Sequence, residues 1–192
     1  KLFELHIKKD KFSQLLRTDF RFIERVVDAV KTHIRSFPDG HDVLVFLPGY
    51  SEISRCQNAL AEWADQAEVL LTPLTGTLTL TEQLKAIKPA AKRKVILATN
   101  VAESSLTIDG VDAVIDSGLA RILRRHPKTE FEQLTVSRIS KASTRQRAGR
   151  AARQFPGLCR QLWTEQDELS MPDFEVAEVH RVLLELKARG LS

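Results

Sequence analysis

The 192-residue chain has only two cysteines, one methionine and one tyrosine. Cys56 and Cys159 lie far apart in apolar segments, which predicts two buried thiols in a reducing compartment rather than a disulfide framework. No apolar run approaches the roughly 20 residues of a membrane-spanning helix, and no secretory leader opens the chain. The expectation is a soluble, cytoplasmic protein without membrane contact. The five histidines are scattered, with no metal-ligand spacing. No glycine begins a G-x-x-x-x-G-K loop followed by Ser or Thr, which excludes that kind of phosphate cradle from this chain. There is no internal repeat and no low-complexity segment. Neither charge sign dominates: 29 Lys and Arg against 25 Asp and Glu leave a net charge of +4, which permits an acidic partner without demonstrating one.

What is present is an ordered alternation. Leading from Lys1 rather than Met, the chain reads as a piece of a longer protein, with a connector and one short strand near Phe3 to Ile7. Asp19 is placed to cap a helix reaching about Ser36, with Phe22, Ile23, Val26, Val27, Val30 and Ile34 on one side. VLVFL, Val43 to Leu47, reads as a strand covered on both faces. Ser51 is a candidate cap for the next helix. Val69 to Leu71 reads as a short strand entering a Thr-rich loop, Thr72 to Thr77. Thr79 with Glu82 forms a capping-box pattern for a helix that Pro89 stops. KVILA, Lys94 to Ala98, and VDAVID, Val111 to Asp116, supply further strands. The rhythm predicts an α/β layer fold with a mainly parallel sheet.

The later segments differ. Leu119 to Arg125 and Phe131 to Ser137 flank His126-Pro127-Lys128-Thr129, which predicts a long β-hairpin with basic residues on its tip and first arm. Ser143 is a candidate cap for a helix carrying QRAGRAAR, Gln146 to Arg153. Arg147, Arg150 and Arg153 stand three apart, so on a helix their guanidiniums share a face. Forked, permanently charged donors suit phosphate oxygens, although a solvated basic face has the same spacing. Leu158 to Trp163 returns as a strand, and Asp173 is placed to cap a last amphipathic helix ending near Gly190. In a parallel sheet, ligands bind beyond the carboxyl ends of the strands. Pro48-Gly49, Thr75-Gly76-Thr77 and Thr99 to Ser105 all follow strands, and so are expected along one edge. Asp116 ends a strand as a metal-holding aspartate does, but without a phosphate loop beside it the structural role is favoured.

Ala98 to Gly118, ATNVAESSLTIDGVDAVIDSG, followed by ISKASTRQRAGRAARQFPG, resembles motifs V and VI of DEAH-box RNA helicases. VLVFLPG resembles motif IV, and TPLTGTLTLTEQ the segment after it. The resemblance covers about Asp42 to Trp163, in order, and is closest to the bacterial HrpB type. It implies the second RecA-like domain of such a helicase: first strand and connector at 1–18, the RecA-like body at 19–170, and at 171–192 a helix leading to downstream domains.

The resemblance implies that Gln146, Arg150 and Arg153 face nucleotide phosphates, the arginines as fingers. Thr107 and Asp109 match positions near the ribose and its waters, with Asn100 between the two jobs. Thr99, Gly76 and Thr77 match positions on the RNA backbone. The hairpin matches a strand-separating element, with Arg124 on its basic arm. ATP with Mg is expected, held mainly by an absent first RecA-like domain; single-stranded RNA and the flanking domains of the same chain are the implied partners. Two departures stand out: Ala152 replaces a motif glycine, and Ile87 stands where some relatives place a base-stacking aromatic residue. No Asp-Glu-Ala-His is present, so this piece alone is not expected to hydrolyse ATP. The alternative is a nucleic-acid-binding or protein-docking module without motor activity.

Overall fold

The apolar run at Val43 to Leu47 is buried on both sides, and alternation within it divides the interior into two clusters. Val43, Val45 and Leu47 face one cluster, Leu44 and Phe46 the other. A computed structural model describes residues 3–104, 107–125 and 131–174. In chain order these form β1 (Leu5–Lys9), α1 (Phe20–Ser36), β2 (Asp42–Phe46), α2 (Tyr50–Gln66), β3 (Leu70–Leu74), α3 (Leu80–Ile87) and β4 (Lys94–Ala98). They continue as α4 (Val101–Ser104), β5 (Val111–Asp116), β6 (Leu119–Arg125), β7 (Glu132–Arg138), α5 (Lys141–Ala148), β8 (Gly157–Gln161) and α6 (Glu165–Leu169).

Six strands pair in the order β1-β8-β5-β2-β4-β3, every neighbouring pair parallel. Helices cover both faces, as expected. Helices α1 and α2 close the first cluster through Phe22, Val26, Val30, Ile53, Cys56 and Leu60. Helices α3, α4 and α5 close the second through Ala86, Ala102, Ala148 and its neighbour Ala151. The β1 strand, inside the 1–18 segment, is the outer strand on one side, and β3 is the outer strand on the other. An outer position accommodates Pro73, which has no N–H to give a ladder. Strand β3 therefore runs on to Leu74, three residues past the predicted end.

Capping chemistry was largely legible. Asp19 accepts from the Phe22 N–H at 3.3 Å, and Thr79 and Glu82 form the reciprocal box at the start of α3. Two expected caps are corrected. Gly49, with no side-chain bond, precedes α2 in place of Ser51, because the helix starts at Tyr50. Ser140, not Ser143, caps α5, accepting from the Ser143 N–H at 3.0 Å. The short α6 was not foreseen, although Thr164 and Asp167 carry the same box spacing.

Strands β6 and β7 form the predicted antiparallel hairpin, from Leu119↔Arg138 to Arg125↔Glu132. Two ion pairs fix its base: Arg121 with the buried Glu52 of α2 at 3.3 Å, and Arg138 with Asp167 of α6 at 3.1 Å. The predicted basic tip at 126–130 and the last helix lie outside the described residues. Both cysteines are buried and unpaired, and burial pushes the Cys56 thiol up to about 12.

Gly118, between β5 and β6, has φ +70°. A Cβ there would clash with the Gln14 side-chain amide and lie 2.7 Å from the Trp163 ring. Left-handed backbone and overpacking together should cost Gly118→Ala about 2–4 kcal/mol, read as a lower urea midpoint.

His33, buried on α1, is held down to about 4 by burial, with nearby Arg93 adding to the effect. Unfolded, it titrates near 6.5. Between these values the unfolded chain takes up a proton that the folded one refuses, so stability falls as pH falls through the window. His33→Leu should flatten the stability–pH curve between about pH 6.5 and 4 in melts across a buffer series.

Candidate functional site

The carboxyl ends of the parallel strands gather the expected loops along one edge. The Leu47 N–H donates to the Ala98 carbonyl at 2.8 Å, Thr99 N–H to Leu74 at 3.1 Å, and Leu162 N–H to Asp116 at 2.9 Å. Thr99 and the Thr75-Gly76-Thr77 loop are thereby neighbours across β4 and β3. The hydroxyls of Thr75 and Thr77 lie 2.8 Å apart, Thr77 and Gly76 are exposed, and nothing crowds the open side of Gly76. Exposed backbone with small hydroxyls suits contact with phosphate and sugar.

Helix α5 starts at the same edge, where the Ile139 N–H donates to Gly118 at 3.0 Å. Its eight residues carry the chain about 12 Å back toward the amino ends of the strands. Helix α5 ends at Ala148, and Arg150, Ala152 and Arg153 lie in the turns after it, so a single helical face carrying three arginines does not exist.

The arginines part company in space. Arg147 is fully buried on the stripe formed by Thr144, Arg147, Ala148 and Ala151. It donates from Nε to Glu103 Oε2 and from Nη1 to Asp116 Oδ1, both at 2.9 Å. Nη1 also reaches the Leu119 carbonyl at 3.2 Å, and the guanidinium sits 4.7 Å from the centre of the Phe46 ring. Burial alone would lower the arginine, but the carboxylates of Asp116 and Glu103 outweigh it and raise it further. For Asp116, burial pushes the carboxyl up and Arg147 opposes. Asp116 also accepts from the Gly118 N–H at 2.8 Å, which gives it the structural role favoured from sequence.

Arg150, only 4% exposed, packs against α4 with Nε 3.1 Å from the Glu103 carbonyl and Nη2 on the same oxygen. Burial, with Arg153 close by, pulls Arg150 below the ordinary arginine value, yet it stays charged at neutral pH. Arg153 and Gln146 are exposed. An anion near the two arginines would relieve their mutual repulsion.

Beyond Arg153, Gln154 ties this turn to the loop entering β5. Its amide donates to Asp109 Oδ1 at 2.6 Å, and its oxygen accepts from the Gly110 N–H at 2.8 Å. The sequence reading missed Gln154, which stands one residue past the motif. Beside it, Gly40–Asp42, 89–93 and Asp109–Gly110 line an open cleft of about 280 Å³. Phe155 stacks on His41 with ring centres 3.9 Å apart. Ile87 packs against the second core cluster.

The candidate residues thus fall into two groups. Thr99, Asn100, Gly76 and Thr77 lie where β3 and β4 end; Asp109 and the exposed Thr107 lie just before β5, and Arg150, followed by the exposed Arg153, reaches from the turn after α5 to the Glu103 carbonyl between the two. Arg124 is exposed on the hairpin opposite Gln133, apart from both groups. Among the described residues, no three His, Cys, Asp or Glu side chains converge as a metal ion requires, and no helix is long and apolar enough to cross a membrane.

Residues 24–154 match the family model described as helicase conserved C-terminal domain. The chain is 42% identical over 179 residues to the ATP-dependent RNA helicase HrpB of Escherichia coli, an alignment covering 90% of this chain and 22% of that protein. It is 36% identical over 163 residues to the human ATP-dependent RNA helicase DHX33, covering 79% of this chain and 23% of that protein. A crystal structure of HrpB, described as a DExH-box NTPase, superposes with a TM-score of 0.78 at 36% identity, covering 99% of this chain and 24% of that one. A second, described as a DEAH/RHA helicase, gives a TM-score of 0.78 at 37% identity, covering 93% and 22%. The chain therefore spans less than a quarter of each of these relatives, and its sheet and hairpin have their RecA-like arrangement.

Removing Arg147 leaves two carboxylates facing a site from which water is excluded. Arg147→Met should cost about 3–5 kcal/mol in urea unfolding, and adding Asp116→Asn should restore part of it, because the orphaned buried charge is then gone.

Proposed function

The chain belongs to the helicase conserved C-terminal domain family, in its DEAH-box RNA helicase branch, and on that premise we propose that it is the second RecA-like half of an ATP-dependent RNA motor. ATP lies between this half and a first RecA-like domain that supplies the phosphate cradle and most of the Mg ligands. Arg150, Arg153 and Gln146 face the phosphates, while Thr107 and Asp109 lie toward the ribose. Thr99, Gly76 and Thr77 hold the RNA backbone, Arg124 adds a cation on the hairpin, and Asn100 links the two regions. Downstream domains of the same protein follow the 171–192 segment.

One observation carries this reading. Arg150 and Arg153 emerge close together in the turns after α5, just before Gln154, which bridges to Asp109, and Arg150 is held on the Glu103 carbonyl. The residues here fit a nucleotide's polyphosphate from one side, since they offer guanidinium and amide donors. When bound, ATP would supply the phosphoryl group, and Mg, held mainly by the first RecA-like domain, would neutralise charge on its oxygens. This chain's part is to place positive charge where negative charge develops on the transferred group, and to do so from a partly buried setting where charge is weakly screened. At the other edge, contacts with phosphate and sugar carry little sequence information, so binding should be salt-sensitive and tolerant of base sequence.

In the full-length protein, Arg150→Ala and Arg153→Ala should each lower RNA-stimulated ATP turnover by about 10³-fold or more, with nucleotide still bound and the fold intact. The measurement is steady-state phosphate release with and without RNA, beside nucleotide titration. Unchanged turnover in both variants would remove the finger assignment and favour the binding-module alternative.

A further inference from the structure

Arg147 and Arg150 stand three residues apart, yet both close on Glu103. Arg147 takes its side chain, with Nε 2.9 Å from Oε2, and Arg150 takes its main-chain carbonyl through Nε and Nη2. Glu103 is thus held at both ends. Its carboxylate is clamped by a cation that is itself fixed to Asp116 and to the Leu119 carbonyl. Its carbonyl is the rest on which a second guanidinium lies. Glu103 belongs to the single turn of α4, which is too short to keep its own position by helix cooperativity. That turn starts directly from the carboxyl edge: the Glu103 N–H donates to the Asn100 carbonyl at 3.0 Å, and the Ala102 N–H to Thr99 at 3.2 Å.

We propose that Glu103 is the positioning residue for Arg150, clamped in place by Arg147. The proposal rests on the reading of Arg150 as a phosphate-facing finger and adds what holds that finger in line. An arginine side chain has several rotatable bonds, so a forked charge becomes useful only when its orientation is fixed. The Glu103 carbonyl fixes the Nε–Nη2 edge. Its own position is set from the other side by Arg147, whose full burial leaves the clamp little freedom. Since Glu103 is also tied to Asn100, a shift of the backbone-gripping edge moves the rest on which Arg150 lies. Glu103 touches neither phosphate nor RNA in this arrangement; it acts through Arg150.

The test is a double-mutant cycle in the full-length protein, reading single-turnover ATP hydrolysis with saturating RNA. Glu103→Ala, which leaves Arg147 its pairing with Asp116, should lower the hydrolysis rate on the order of tenfold or more, with the ATP and RNA affinities changed by less than about threefold. Glu103→Gln, which keeps an oxygen for Arg147 Nε, should recover most of the rate. In an Arg150→Ala background, Glu103→Ala should have no further effect, because the group it positions is gone. A tenfold loss of equal size in both backgrounds, or no loss in Glu103→Ala, would overturn the proposal. If Glu103→Ala fails to fold, Glu103→Gln takes its place in the cycle: a few-fold loss abolished by Arg150→Ala supports the proposal, and equal losses overturn it. Full activity in Arg150→Ala alone would overturn the finger reading and this proposal together.

Discussion

A guanidinium with no exposed surface, held between Glu103 and Asp116 over the Phe46 ring, is the constraint around which this structure is arranged. Burying a charge is expensive, and the attraction of a partner in the interior often does no more than offset the loss of water. Here satisfaction is incomplete, since Arg147 Nη2 and Asp116 Oδ2 find no hydrogen-bond partner among the described residues. An apolar set replacing all three charged side chains together would serve stability as well. What it would not do is join four separate segments through directed bonds: α5, α4, the end of β5 and the start of the hairpin. Removing the cation should therefore disturb geometry in all four at once.

The two candidate regions follow from the direction of the sheet. Parallel strands send all their carboxyl ends one way, and there the loops carry threonines, an asparagine and open glycine backbone. Helix α5 returns from that edge across the second cluster, and its end delivers Arg150 and Arg153 beside Asp109 and Gln154. The buried knot lies between the regions, touching the short helix that leaves the first and the long one that arrives at the second. A packed, hydrogen-bonded set of elements that touches both regions is a candidate carrier of coupling between them.

Much of this was legible in the sequence because the signals are local. KVILA and VDAVID gave β4 and β5 to the residue, since each is apolar on both faces and ends at a polar loop. Asp19 and Thr79–Glu82 announced their helices through side chains that bond their own backbone. The hairpin base was read one residue short, because Arg138 looks like surface until its pairing with Asp167 is seen. The arginine stretch failed for a non-local reason. Spacing of three suggested one face, but the buried stripe of Thr144, Ala148 and Ala151 already contained Arg147 at helical period, and a small-residue stripe is the face that packs. Recognising it required pairing Arg147 with carboxylates 31 and 44 residues away, which no local pattern encodes. Glu103 and Gln154 were overlooked for the same reason.

The most direct measurement is a crystal structure of the full-length protein with ADP, Mg and a metal fluoride in place of the transferred phosphoryl group. The arrangement described here predicts that Arg150 and Arg153 reach the fluoride or the phosphates, while Arg147 keeps its bonds to Glu103 and Asp116. Arginines turned away from the phosphates, or an Arg147 released from both carboxylates, would contradict it.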